Sequence, residues 1–211
     1  MSVEFLYVDD QLCVAVKPAG VLSTDEPGGM PELVRAALHT DCIRTVHRLD
    51  RVVSGVMVLA RSAEAASALS AQIRDRRFDK TYLAVIHGVP PEPAGTLTDL
   101  LLRDKRERKT YIVHHLEKGV QEAILDYETK GPADGLSLVE IRLRTGRTHQ
   151  IRAQFSGRGM PLAGDRKYWS EPDEFPMCLW SHSVSFFHPV TGAPMSITAP
   201  PPSLDPWTRF L

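Results

Sequence analysis

The chain has 211 residues, 43% hydrophobic and 24% charged, an ordinary globular composition with room for one large domain or two small ones. Its formal net charge of −1 rules out a global basic field, so a polyanionic partner would have to be met by local clusters of Lys and Arg. Cys13, Cys42 and Cys178 are far apart and form no C-x-x-C pair, the start MSVEFLYVDD is no signal peptide, and no apolar run reaches membrane-spanning length; together these argue against a disulfide scaffold, a zinc knuckle or a membrane span and fit a reducing cytoplasm.

Val3 to Val8 and Leu12 to Val16 predict two short strands joined by the acidic turn Asp9-Asp10-Gln11. Lys17-Pro18-Ala19-Gly20 reads as a turn, and residues 23–30 as a loop. Leu33, Val34, Ala37 and Leu38 have helical spacing, with Pro31 in a first turn and His39 at the helix end or surface. After His47-Arg48-Leu49-Asp50-Arg51, Ser54-Gly55 leads into Val56-Met57-Val58-Leu59-Ala60, a buried strand by its valines and length. Ser62 can cap a helix through Ala65, Leu69 and Ile73 that closes on Arg74-Asp75-Arg76-Arg77. Residues 80–88 predict a strand and 88–96 a Pro/Gly loop. Arg103 to Lys109, RDKRERK, is the most basic stretch and reads as a loop, followed by Thr110–Val113 and Ala123–Tyr127 as paired strands. Leu136 to Leu143 alternates as a half-buried strand. Arg144 to Arg152 then turns into a helix with Thr148 as its cap, which puts Arg147 at a strand-to-helix corner beside backbone N–H groups suited to anions. Leu179–Pro189 and Met195–Pro200 predict closing strands.

Each polar cluster has an ordinary reading. An Asp between two Arg is usually a solvated ion pair, Tyr82 in a strand a half-buried aromatic, the 74–77 cluster helix-end charge, 103–109 a solvated loop, and the 144–152 cations a polar core brace. The words they spell in order shift that balance. HRLD at 47–50, followed by Arg51 and Ser54-Gly55, resembles the catalytic motif of the RluA-type pseudouridine synthases, although Val52-Val53 stands where that family usually has an acidic or polar pair. YVDDQLCVAVKPAGVLS at 7–23 resembles its opening hairpin, with Val16 where Asn is frequent before the Lys. KTYLAVIHG at 80–88, RTGRTHQIR at 144–152 and GMPLAGDRKY at 159–168 resemble its later motifs in the same order, so the resemblance runs from Phe5 to Pro200.

The strand-rich order with few helices predicts an α+β chain. The resemblance implies the pseudouridine synthase catalytic fold: a mixed, largely antiparallel bent sheet with flanking helices and a central cleft, one catalytic domain over 1–211 in two sub-halves, without the family's N-terminal S4-like domain. It implies an isomerase that converts specific uridines of structured RNA (tRNA or rRNA stem-loops) to pseudouridine. This reaction breaks N1–C1′, joins C5 to C1′, and has no redox step, so no cofactor or metal is expected. The resemblance assigns Asp50 as the catalytic carboxylate, Arg147 as its cationic partner, Tyr82 as the residue under the base, and Arg48 as the side chain that fills the space left by the flipped nucleotide. Further RNA contacts are expected from Arg51, Arg76, Arg106, Arg108, Lys109, Arg144, His149 and Arg152, with the basic segments 74–80, 103–109 and 142–152 on one side and the acidic N-terminal edge facing away. A cytoplasmic monomer is expected. Two alternatives stay open at this point: a nucleoside or glycoside hydrolase using Asp50 with a second carboxylate, and a non-catalytic RNA-binding module.

Overall fold

The computed structural model describes residues 2–171 and 173–210. In chain order the elements are β1 (Glu4–Val8), β2 (Leu12–Lys17), α1 (Met30–Leu38), β3 (Arg44–Thr45), β4 (Ser54–Ala60), α2 (Ala63–Arg74), β5 (Asp79–His87), β6 (Ala94–Asp104), β7 (Lys109–Val113), β8 (Val120–Ala133), β9 (Leu136–Leu143), α3 (Gln150–Ser156), β10 (Leu179–Phe187), β11 (Pro194–Thr198) and a 3-10 turn at Trp207–Arg209. The architecture is α+β, with open and mostly antiparallel sheet and few helices, as the sequence predicts. The chain divides into two compact units. One comprises the chain up to Thr81 with Trp180–Pro201, the other Tyr82–Leu179 with the chain from Pro202 onward.

In the first unit β4 is the central strand. Val56 to Ala60 are fully buried, so a continuous apolar run is what the position requires. β2 pairs antiparallel along one edge of β4, from Leu12 opposite Ala60 to Lys17 opposite Gly55, and β1 pairs outside β2. The other edge is covered at one end by β3 (Thr45 opposite Leu59) and at the other by β10, the parallel neighbour (Ser181 opposite Gly55), with β11 beyond it. Gly55 has φ 118, and a Cβ there would lie 2.3 Å from the Ser181 carbonyl oxygen; only glycine permits this approach. The predicted Ser62 cap is present, its Oγ accepting from the Ala65 N–H at 3.0 Å. The predicted acidic turn closes through Asp9, whose Oδ1 accepts the N–H groups of Gln11 and Leu12 at 2.8 Å each.

The second unit orders its strands β5-β9-β8-β6-β7. Two sequence expectations are corrected here. The stretch 94–104 is a strand of eleven residues, which takes in the end of the expected 88–96 loop, the start of the expected 103–109 loop and the residues between them, for which no element is predicted. It lies between the two strands expected to pair, so β7 and β8 each pair antiparallel with β6 instead (Leu101 with Ile112, Leu97 with Leu125). Leu97, Leu101, Ala123 and Leu125 are buried; Leu101 and Ala123 pack with Ala153 of α3, and Phe155 of the same helix meets the Tyr127 ring of β8, their centres 5.8 Å apart.

Candidate active site

The Asp50 loop lies between β3 and β4 and is tethered by the loop that follows β2. Leu49 is fixed at both its backbone groups by Ser23, whose Oγ donates to the Leu49 carbonyl at 2.8 Å and accepts its N–H at 3.0 Å. Thr45 Oγ1 donates to the Ser23 carbonyl at 2.8 Å. Arg51 and Gly20 exchange two bonds, Gly20 N–H to the Arg51 carbonyl and Arg51 Nε to the Gly20 carbonyl, both 2.8 Å. A turn closed by the Val53 N–H on the Asp50 carbonyl (3.0 Å) presents the half-buried carboxylate. In the pair that departs from the family pattern, Val53 points into the core and Val52 outward.

Beneath this loop is Lys17, which the sequence places in a turn and the structure at the end of β2. Lys17 is 0% exposed, and its ammonium donates to the carbonyls of Val21 (2.7 Å), Pro18 (3.0 Å) and Arg51 (3.2 Å). A fully buried lysine is tolerated only with such partners. Burial lowers its pKa to about 8, and the nearby Asp50 charge acts in the opposite direction. Lys17 therefore joins the loop after β2 to the Asp50 loop and brings a buried positive charge close to Asp50.

Arg147 belongs to the second unit, in the loop from β9 to α3. That loop is held by Gln150: its Oε1 accepts from Thr145 Oγ1 (2.8 Å) and from the Arg147 N–H (2.9 Å), while its Nε2 donates to the Ile124 carbonyl (3.0 Å). The Arg147 N–H is thus engaged and not open to an anion. Arg147 Nε donates to the Glu122 carbonyl at 2.9 Å. The helix cap is His149 in a left-handed conformation (φ 55), not Thr148; Thr148 serves the strands, its Oγ1 accepting from Arg103 and its carbonyl from Thr110. Tyr82, on β5, is 5% exposed and so lies in the core.

The expected RNA contacts sort by burial. Arg48, Arg51, Arg76, Arg106, Arg108 and Arg144 are exposed, with Arg144 paired to Asp126 at 2.6 Å. Lys109 is half-buried, its Nζ 5.0 Å from the Tyr168 ring centre and 5.3 Å from that of Tyr111. His149 meets the Tyr168 hydroxyl through Nδ1 at 3.0 Å. Arg152 is a correction. It is 4% exposed and grips the buried Asp165 in a two-pronged ion pair, Nε–Oδ2 and Nη2–Oδ1 both 2.7 Å, so it braces the core and does not present a surface contact. Tyr168 closes the GMPLAGDRKY motif, for which the sequence suggests no role. Its hydroxyl donates to the Thr110 carbonyl (3.0 Å) and accepts the Thr110 N–H (2.8 Å), tying β7 to the segment after α3. Hence the basic segments 103–109 and 142–152 adjoin, joined through Arg103, Thr110, Thr148 and Tyr168.

These tethered loops and the sheet beneath them correspond to a known family. A model described as RNA pseudouridylate synthase matches residues 11–157, and the chain belongs to that family, in its RluA-type branch. It is 32% identical to an RNA pseudouridine synthase of Synechocystis sp. over 96% of this chain and 67% of that one. It is 34% identical to the ribosomal large subunit pseudouridine synthase D of Xylella fastidiosa, again over 96% and 67%. Two human structures share the fold. RNA Pseudouridylate Synthase Domain Containing 1 has a TM-score of 0.79 at 24% identity, covering 96% of this chain and 85% of that one. Domain Containing 4 has a TM-score of 0.78 at 22% identity, covering 94% and 88%. The protein is an isomerase that acts on RNA, forming pseudouridine from uridine. Among the described residues no helix is long and apolar enough to cross a membrane.

Proposed function

We propose that Asp50 attacks a carbon of the target nucleotide, that Tyr82 supports the base and moves a proton, that Arg147 supplies the countercharge, and that the substrate is a stem-loop of ribosomal large-subunit RNA, with tRNA the second candidate. The observation that carries the assignment is the Asp50 loop: a carboxylate at the tip of a turn whose neighbours Leu49 and Arg51 are both fixed by side chains of a second loop, with a buried cation close by. Pseudouridine formation needs such a group. The N1–C1′ bond must break, the uracil turn, and C5 bond to C1′, with the C5 proton lost and one gained at N1; a fixed nucleophile carries the fragment between the two bonds. The nucleotide leaves its stack to reach the carboxylate, and Arg48, exposed two residues before it, fills the vacated place. Arg51, Arg76, Arg106, Arg108, Lys109, Arg144 and His149 contact phosphates, which position the RNA without reading its sequence.

The ribosomal choice rests on the name of the Xylella relative, and the separated free thiols fit a reducing cytoplasm, where the protein acts as a monomer in this proposal. Purified protein is incubated with large-subunit rRNA and with tRNA from cells lacking its gene, and pseudouridine is mapped at single-nucleotide resolution. New pseudouridine in rRNA supports the full reading. Modification of tRNA alone moves the substrate, and release of free uracil would instead support a hydrolase. Light scattering with and without RNA tests the monomer.

A further inference from the structure

β4 has a gap along one edge. β3 covers Leu59 and Ala60, and β10 covers Ser54 and Gly55. Between them the Val56 carbonyl and the Val58 N–H face that edge without a strand opposite, and two side chains take the strand's place. Ser181 Oγ donates to the Val56 carbonyl at 2.9 Å, and His47 Nε2 accepts the Val58 N–H at 3.0 Å. To accept, Nε2 must carry no proton, so His47 is neutral with its hydrogen on Nδ1. Burial, aided by the charge of Lys80, pushes its pKa down to about 3 and keeps it in that form. The ring packs on Phe78 (centres 5.4 Å apart), which stacks on Phe186.

This choice of residue has a cost. His47 Nδ1 is buried and has no hydrogen-bond partner among the described residues. A leucine or phenylalanine would fill the space without burying that N–H, so what the site requires of the side chain is its acceptor. The acceptor lies three residues before Asp50. Leu49 and Arg51 are tied to the 17–23 loop, and His47 supplies the tether on the opposite side, to the core strand itself.

We infer that His47 is a positioning residue: its bond to the Val58 N–H sets the path of residues 47–50 against β4, and so the place of the Asp50 carboxylate. This rests on the reading of Asp50 as the catalytic group. It predicts that His47→Leu lowers kcat by about a hundredfold while the KM for RNA stays within threefold, because a displacement near 1 Å costs a reacting group that much. His47→Gln, whose amide oxygen has the reach of Nε2, recovers most of kcat. His47→Asn, one bond shorter, does not. The Gln–Asn pair serves where the Leu variant fails to fold, since the two share their chemistry and differ in reach. Folding is followed by circular dichroism, and Asp50→Asn is assayed alongside. A folded Leu variant with wild-type kcat, or Gln and Asn variants with equal kcat, overturns the inference. Activity in Asp50→Asn overturns the reading of Asp50 instead, whatever the His47 variants do.

Discussion

The Asp50 loop and the turn between β6 and β7 are both short, polar and rich in arginine, yet they are built in opposite ways. Around Asp50 the neighbouring residues are fixed from beneath, by Ser23 on Leu49 and by Lys17 and Gly20 on Arg51. At 104–109 the turn is closed locally by Asp104, whose Oδ1 accepts the N–H groups of Arg106 and Glu107, and the side chains of Lys105, Arg106 and Arg108 stand in solvent. Under the proposed roles, Asp50 as nucleophile and the turn as a phosphate contact, the difference reflects what each must deliver. A nucleophile works only within a fraction of an ångström of its target. A phosphate contact works through a field that extends about 10 Å at moderate salt, so the side chain can stay mobile. Damage to the first loop should therefore appear in kcat or stability, and damage to the second in KM and salt dependence.

The contrast is broken most sharply at Asp50 itself. Asp50→Asn keeps the shape and removes the nucleophile; pseudouridine formation should fall below detection while RNA binding, measured by filter retention, stays within about threefold. Wild-type turnover in that variant would end the assignment. Tyr82→Phe comes next. If the hydroxyl moves a proton, kcat falls by about 10²–10⁴ while base binding survives. Full activity would confine Tyr82 to packing against the base.

Lys17 tests whether the scaffold is as important as the carboxylate it holds. Lys17→Met leaves buried carbonyls short of a donor and should destabilise the fold by about 2–4 kcal/mol in urea titrations. Its pH dependence has a definite sign. The folded lysine loses its proton near pH 8 and the unfolded one near 10.5, so between these the unfolded state binds more protons and wild-type stability rises with pH relative to Lys17→Met. A parallel pair of stability curves would show that Lys17 does not titrate in that window. The smallest effect is expected at the basic turn. Arg106→Ala with Arg108→Ala should raise KM several-fold, flatten the salt dependence by roughly 1.5 in logarithmic slope, and leave kcat within about threefold. An unchanged slope would make the turn an ordinary solvated surface.

Much of the fold was readable because burial and pattern agree. β4 is apolar throughout and buried throughout, and Ser62 precedes α2 as a cap should. β6 was hidden because it begins beside prolines and ends in charges, and its absence led to the mistaken pairing of its two neighbours; strand partners are chosen by packing across the chain, which local pattern does not record. Lys17 was misplaced for a related reason. Long cations are normally at the surface; a polar core brace is the ordinary reading of the 144–152 cations and Arg152 fits it, but nothing in KPAG announces the three carbonyls that hold Lys17 inside. For the site, motif order alone drew attention to Asp50, Tyr82 and Arg147; their roles stand as proposals.

The contact of Gly55 with Ser181 has a consequence for the making of the enzyme. The strand that follows the Asp50 loop is completed at this end by a segment synthesised more than a hundred residues later, and the glycine leaves it no slack. While a ribosome is still translating the intervening stretch, this end of β4 has no strand opposite it. Residues 180–201 must therefore have left the ribosome before the first unit can close this end of β4.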